Sequence, residues 1–440
     1  MDNSIIEKKE KRSLVLGGGG SRGAYQVGAV TALYELGYEF DIIVGTSVGS
    51  LNGAFFTCES ASLETAVELW SKVTTDMVLD YDKESIELLK TPRDAIVSII
   101  EKTVKNGSID QTPLRRLLEE TLDVDAVYES KRDFGLVVVQ FPMMKPVYLT
   151  KKDIPKEKFI DYLLASSAVF PAMKSIVIDD KQYIDGGFYD VVPISLAKQM
   201  GATEAIVIPL NSIGVRQPDP KDIKITKIVP RDDLGFLLMF DPDVSKVNMA
   251  RGYLDTMKLL GGLIGNQYTF YRDDFDSYRR KFTSLVAKIC GKFKSNNVAE
   301  NFVADSAIGL IKRRIERCPS YKKGWIYAAA EITGKVFDIS PLVPYTREEF
   351  DDAVLKALDE VKDIELLKNP DISDALKTIT DDKYLTKYLV GKLTHDLTPK
   401  KALTSINLAD GFNITPLVAA IYCIFARLIR DSEEKKKETE

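Results

Sequence analysis

The chain has 440 residues, enough for two or three domains. Its composition, 45% hydrophobic and 28% charged with 27 glycines and 18 prolines, excludes collagenous, low-complexity and wholly disordered classes. A net charge of −5 argues against a nucleic-acid binder held by phosphate contacts, and one histidine with four scattered cysteines leaves no zinc-ligand spacing, so neither nucleic acid nor a metal held by His and Cys is expected.

The first twelve residues have no apolar stretch of the signal-peptide kind, and with cysteines that read as buried small hydrophobes this predicts a cytoplasmic protein. Ser13-Leu14-Val15-Leu16 is a strand that enters a glycine loop at residues 17–23. Ala24, Val27, Val30, Leu33 and Tyr34 then fall near helical spacing, with Gly37 placed to end the helix. Asp41-Ile42-Ile43-Val44 repeats the plan, turning through Gly45-Thr46-Ser47-Val48-Gly49 into a stretch of small residues. Two strand-turn-helix units in fifty residues predict an α/β fold with a mainly parallel central sheet.

Further strands are predicted at residues 135–139, 146–149 and 205–209, and the period-two alternation of 223–229 predicts an edge strand. Helices are expected over 63–73, 114–122 and 159–165. Leu234-Gly235-Phe236-Leu237-Leu238-Met239-Phe240 reads better as core packing than as an acyl pocket. Beyond residue 243 the strand signals fade into charged amphipathic stretches such as 347–361. The organisation expected is a catalytic domain over 12–260, a mostly helical region over 261–430 and a charged disordered tail at 431–440. The apolar run at 417–426 is too short to span a bilayer and reads as a buried core helix, or as one that docks on lipid or covers a site.

The chemistry concentrates in three segments. Gly45-Thr46-Ser47-Val48-Gly49 is a G-x-S-x-G at a strand-to-helix turn, where Gly45 and Gly49 allow a sharp elbow and Ser47 is presented at a helix N-terminus. The plainer reading is a tight turn in which Ser47 caps the helix. A serine nucleophile needs a base, and the lone His395 lies far downstream among charged residues, so a Ser-His-Asp triad is not expected. A carboxylate must then serve, and Asp185-Gly186-Gly187 offers one with two glycines that permit close approach; taken alone it reads as a D-G turn bonded to its own backbone.

The loop Gly18-Gly19-Gly20-Ser21-Arg22-Gly23 also matches G-x-G-x-x-G. A dinucleotide site would want an acidic residue at the end of the second strand, whereas Asp41 begins it, and a Walker A loop would want Lys where Ala24 stands. What remains is an array of backbone N–H groups suited to an oxyanion, with Arg22 adding charge or bracing the loop.

Together these segments resemble the patatin-like phospholipases of bacterial type, whose marks are G-G-G-x-R-G, G-x-S-x-G and D-G-[GA] in that order. Ala165-Ser166-Ser167-Ala168-Val169-Phe170-Pro171 and Asp190-Val191-Val192-Pro193 are similar to the family as well, whereas Tyr25 stands where many members carry histidine. The resemblance covers residues 12–260. It implies a Ser47–Asp185 dyad, an oxyanion hole from Gly18, Gly19, Gly20 and Arg22, and no cofactor or metal. It further implies phospholipase A-type hydrolysis of a phospholipid or another acyl ester, at a peripheral membrane surface such as the inner face. An acyltransferase using the same residues, or a catalytically silent binding module on the same fold, are the alternatives.

Overall fold

The computed structural model describes residues 10–58, 61–80, 108–292, 298–362, 381–395 and 414–438. The chain divides into two compact units, Met1–Gly261 and Gly262–Glu440.

The first unit is built on strands β1 (Arg12–Leu16), β2 (Ile42–Thr46), β3 (Asp133–Phe141), β4 (Lys145–Thr150), β5 (Ile176–Ile178), β6 (Lys181–Asp185), β7 (Glu204–Ile208) and β8 (Lys224–Lys227). They form one sheet in the order β5-β6-β3-β2-β1-β7-β8, with β4 joined to β3. The middle strands run parallel and are buried on both faces, which is why Leu14, Val15 and Leu16, Ile42, Ile43 and Val44, and Ile206, Val207 and Ile208 read as continuous apolar runs. β8, expected from its alternation, is the edge strand beside β7.

Helices α1 (Ala24–Glu35), α2 (Val48–Thr57), α3 (Ala61–Trp70), α4 (Thr112–Thr121), α5 (Phe159–Ser166), α6 (Ile194–Gln199) and α7 (Pro242–Leu259) belong to this unit, with shorter helices at Thr75–Val78 and Val124–Glu129. Asp241 caps α7, its carboxylate accepting from the N–H groups of Asp243 and Val244. Tyr25 donates to the Asp255 carboxylate of α7 at 2.9 Å and is fully buried, so the departure from the family pattern at this position serves helix packing.

The register of β3 positions the site. Its residues 135–140 pair with β4 along one edge, so the other edge must take both remaining partners, β2 and β6. β2 occupies that edge up to Thr46 opposite Val137, and β6 takes over with Asp185 opposite Val138. The strand ending at the serine elbow and the strand ending in the carboxylate are thereby laid end to end.

The second unit is mostly helical: α8 (Arg279–Lys292), α9 (Val298–Glu316), α10 (Trp325–Val336), α11 (Arg347–Glu360), α12 (Asp382–His395) and α13 (Thr415–Lys437). The apolar run at 417–426 is the buried stretch of α13, packed in the core with Phe282, Tyr327 and Phe350. Among the described residues no helix is long and apolar enough to cross a membrane. The expected disordered tail differs in the structure, because α13 continues to Lys437. Its Glu433 accepts two bonds from the Arg347 guanidinium, both at 2.9 Å, and one from the Tyr278 hydroxyl, which holds the charged end as helix. Residues 439–440 lie outside the described residues.

Candidate active site

Ser47 stands between β2 and α2 with φ 56° and ψ −132°, a conformation that L-residues seldom adopt. The elbow needs its two glycines: a Cβ on Gly45 would lie 2.1 Å from the Gly49 carbonyl oxygen, and one on Gly49 would lie 2.3 Å from that of Leu16. The strained turn places the serine over the N-terminus of α2, where the helix dipole favours a developing anion.

Asp185, at the end of β6, is buried and accepts a hydrogen bond from the Gly187 N–H at 2.6 Å. The turn bond expected of a D-G pair is therefore present, and Asp185 and Ser47 border the same cavity. Burial raises the Asp185 carboxyl to about 6, against the lowering influence of the neighbouring Ser47 hydroxyl and the Gly187 N–H.

The glycine loop that follows β1 departs from expectation at one position. The Gly18 N–H donates to the Val191 carbonyl at 2.9 Å and is committed there. Among the described residues the Gly19 and Gly20 N–H groups have no such partner, which leaves them as the loop's open donors. Arg22 resolves in favour of bracing: its Nε donates to the Gly235 carbonyl at 2.9 Å and its Nη1 to that of Asn211 at 3.1 Å. Ser21 adds a hydroxyl bond to the Phe236 carbonyl at 2.7 Å.

Gly18, Gly19, Gly20, Arg22, Ser47 and Asp185 border one cavity of about 840 Å³, within the size range of ligand pockets. Gly18, Gly19, Gly20, Ser47 and Asp185 form a small polar end, and apolar side chains including Phe55, Trp70, Leu114, Leu118 and Met173 form the rest. Leu234 and Leu238 belong to the hydrophobic core as expected, with Phe236, Leu237 and Phe240 packed against it, and Phe236, Leu237, Leu238 and Phe240 line the cavity as well. His395 ends α12 in the second unit.

Residues 14–198 match the model of the family described as patatin-like phospholipase. The chain carries a patatin-like phospholipase domain. Patatin-like phospholipase domain-containing protein 7 of Mus musculus is 29% identical over 205 residues, 46% of this chain and 14% of that protein. Patatin-like phospholipase domain-containing protein 6 of Homo sapiens is 26% identical over 205 residues, 46% of this chain and 13% of that protein. Lysophospholipase NTE1 of Candida albicans is 26% identical over 227 residues, 48% of this chain and 14% of that protein. The chain thus spans about a seventh of the length of these relatives. Among solved structures, VipD from Legionella pneumophila aligns over 95% of this chain and 90% of its own at 13% identity and a TM-score of 0.31, which adds nothing to the fold described above.

The patatin-like segment contains Ser47, Asp185 and the whole glycine loop, together with Ser166, a residue whose role the sequence does not reveal. The Ser47 N–H donates to the Ser166 hydroxyl, which in turn donates to the Val137 carbonyl. Ser166 belongs to the family-like stretch at 165–171, but only the fold shows where its hydroxyl goes.

Proposed function

We infer that the first unit is a serine lipid acyl hydrolase of phospholipase A type. The observation that carries this reading is the meeting of Ser47, Asp185 and open backbone donors at the polar end of a single apolar cavity. The apolar walls take the fatty-acyl chain, which brings the ester carbonyl to the serine.

Ser47 Oγ attacks the carbonyl carbon while Asp185 takes the hydroxyl proton. A carboxylate shifted upward by burial is a stronger base than an exposed one and is still ionised at neutral pH. The tetrahedral oxyanion is stabilised by the Gly19 and Gly20 N–H groups, with Arg22 keeping the loop in shape. Its collapse breaks the ester bond to the glycerol oxygen, which leaves with the proton from Asp185, and an acyl-serine remains. Water then adds to that ester with Asp185 again as base, and fatty acid is released. The dyad completes this cycle with no metal or cofactor in any step.

The test is mass-spectrometric detection of free fatty acid and lysolipid from phospholipid vesicles, with wild type and Ser47→Ala compared. The expected result is product from wild type alone, with fluorophosphonate labelling that Ser47→Ala abolishes. A wild type that neither releases fatty acid nor takes the label would sink the hydrolase reading in favour of a binding module.

A further inference from the structure

Five of the exposed large apolar side chains in the first unit lie where the chain leaves one end of the sheet. β3, β7 and β8 run in the same direction as β1 and β2, so their C-terminal ends share the edge that holds the glycine loop and Ser47. The chain leaving β3 exposes Met143 and Met144, that leaving β7 exposes Ile213 and Val215, and that leaving β8 exposes Val229. Ile213 is the extreme case at 91% exposed. An isolated apolar side chain on a surface is ordinary, but several at the end of the sheet that carries the glycine loop and Ser47 form a patch.

Two further features give the patch a direction. Ile213 and Val215 border the cavity itself, as does the exposed Phe188 just past Asp185. Two of the apolar tips are followed at once by a cation, in Met143-Met144-Lys145 and Val215-Arg216. An apolar tip with a basic residue at its base suits a phospholipid surface, since the tip enters the acyl region while the cation stays among phosphates.

The Ile213 loop is also fastened to the site. The Ser212 hydroxyl donates to the Gly18 carbonyl at 2.6 Å, the Val215 N–H donates to the Gly187 carbonyl at 2.9 Å, and the Val191 N–H donates to the Val215 carbonyl at 2.8 Å. Gly214 permits this closeness, because a Cβ there would lie 2.9 Å from the Gly187 carbonyl oxygen. Whatever holds Ile213 therefore holds the cavity mouth against it.

We propose that this edge, led by Ile213 and by the tip at Met143 and Met144, is the surface on which the protein docks to a phospholipid bilayer, with the cavity mouth facing the lipid. The proposal rests on the acyl-hydrolase reading for its direction, and its binding test is independent of catalysis. Acyl chains then pass from the bilayer to Ser47 without crossing water, which spares the cost of exposing them.

The full-length chain is tested with vesicles of phosphatidylcholine and phosphatidylglycerol, as wild type, Ile213→Asp and the double variant Met143→Asp/Met144→Asp. Co-sedimentation gives the partition coefficient, and release of fatty acid and hydrolysis of a water-soluble short-chain ester are followed in parallel. The double variant Met143→Asp/Met144→Asp, whose residues do not line the cavity, is expected to lower partitioning and vesicle hydrolysis by about tenfold or more, the worth of one buried apolar side chain, and to leave short-chain ester hydrolysis within about twofold of wild type. Ile213→Asp is expected to lower partitioning in the same direction.

Unchanged partitioning in both variants overturns the docking surface, as does an equal loss on vesicles and on the soluble ester in the methionine variant. Loss of self-association by Ile213→Asp with partitioning intact would assign the edge to a second copy of the chain, and also overturns the proposal. Loss of partitioning in a protein that hydrolyses neither substrate upholds the surface and strikes the hydrolase reading instead.

Discussion

The backbone N–H of Ser47 donates to the hydroxyl of Ser166 at 3.1 Å, and that hydroxyl donates to the Val137 carbonyl at 2.8 Å. Ser166 closes α5, and Val137 precedes the β3 residue that pairs with Asp185. One buried hydroxyl thus fixes the serine elbow against the strand that aligns the carboxylate. Ser166→Ala leaves a buried N–H and a buried carbonyl without their partner, at a cost of about 1–3 kcal/mol in stability. It is also expected to lower kcat about ten- to a hundredfold with KM little changed, since the acyl cavity is intact while the attacking group is misplaced. Steady-state kinetics on a soluble ester decide this: wild-type kcat in a folded Ser166→Ala protein would reduce Ser166 to a packing residue.

Asp185 must be ionised to accept the Ser47 proton, and its carboxyl is raised to about 6. For a neutral ester, kcat/KM is expected to fall about tenfold per pH unit below that value and to level off above it. Fluorophosphonate labelling of Ser47 should follow the same curve, because it uses the same base. A profile that stays flat to pH 4 would remove Asp185 from that role.

The same shift has a consequence for stability, with its sign set by the folded state's greater affinity for the proton. An unfolded aspartate titrates near about 3.9, so stability contributed by the neutral carboxyl is present at low pH and is lost as pH rises through about 6. At pH 8 the ionised, buried Asp185 costs roughly 2–3 kcal/mol relative to its neutral form. Asp185→Asn keeps an acceptor for the Gly187 N–H without the charge. It is expected to be inactive yet to melt above wild type at pH 8, with the difference closing near pH 4. Equal Tm values at both pH values would show that the carboxylate carries no such burial penalty.

Ser47 itself holds strain of about 1–3 kcal/mol in a backbone region that suits glycine. Ser47→Ala keeps that strain and Ser47→Gly relieves it, although glycine also gains freedom in the unfolded chain. Both variants should be inert to fluorophosphonate, and the glycine variant is expected to unfold at a higher urea concentration by an equivalent of about 1 kcal/mol. The reverse order would mean that the elbow is relaxed.

What is legible in the sequence follows from how each residue meets its surroundings. The strands β1, β2, β3 and β7 are legible because burial on both faces demands unbroken apolar runs, and the elbow is legible because its glycines are forced by carbonyls about 2 Å from where a Cβ would sit. The meeting of Ser47 with Asp185 comes only from the family resemblance and not from the pattern of residues, since it depends on β2 and β6 sharing one edge of β3, and Lys181-Gln182-Tyr183 has no pattern that announces this. An apolar residue looks the same whether it faces core or cavity, which is why the 234–240 segment reads as packing, which it is, without showing that it is also cavity wall. Gly18 shows the converse limit, because a glycine-rich stretch states that the backbone can approach something without stating which N–H is already used. Glu433 reads as solvated because its partners, Arg347 and Tyr278, lie far away in sequence.

The glycine loop is held from behind by a chain of buried amides that ends in the cavity wall. Gln26 donates to the Gly17 carbonyl at 2.8 Å and accepts from Asn52 at 3.0 Å, while Asn52 also donates to the Gly23 carbonyl at 3.0 Å. Both ends of the loop are therefore clamped. Asn52 accepts in turn from the indole N–H of Trp70 at 2.9 Å, and the Trp70 ring lines the cavity, stacked on Phe240. Asn52→Ala strips partners from an indole N–H, an amide oxygen and a loop carbonyl together, which is expected to cost about 2 kcal/mol or more. Trp70→Phe removes the indole N–H together with part of a buried ring and should cost about 1–3 kcal/mol. If the clamp shapes the oxyanion donors, the rate of fluorophosphonate labelling falls in both variants, and falls further in Asn52→Ala, which frees the Gly23 carbonyl as well as the indole. A wild-type labelling rate in folded Asn52→Ala would instead assign the loop's shape to the bonds of Ser21 and Arg22 with residues 235 and 236 on its other side.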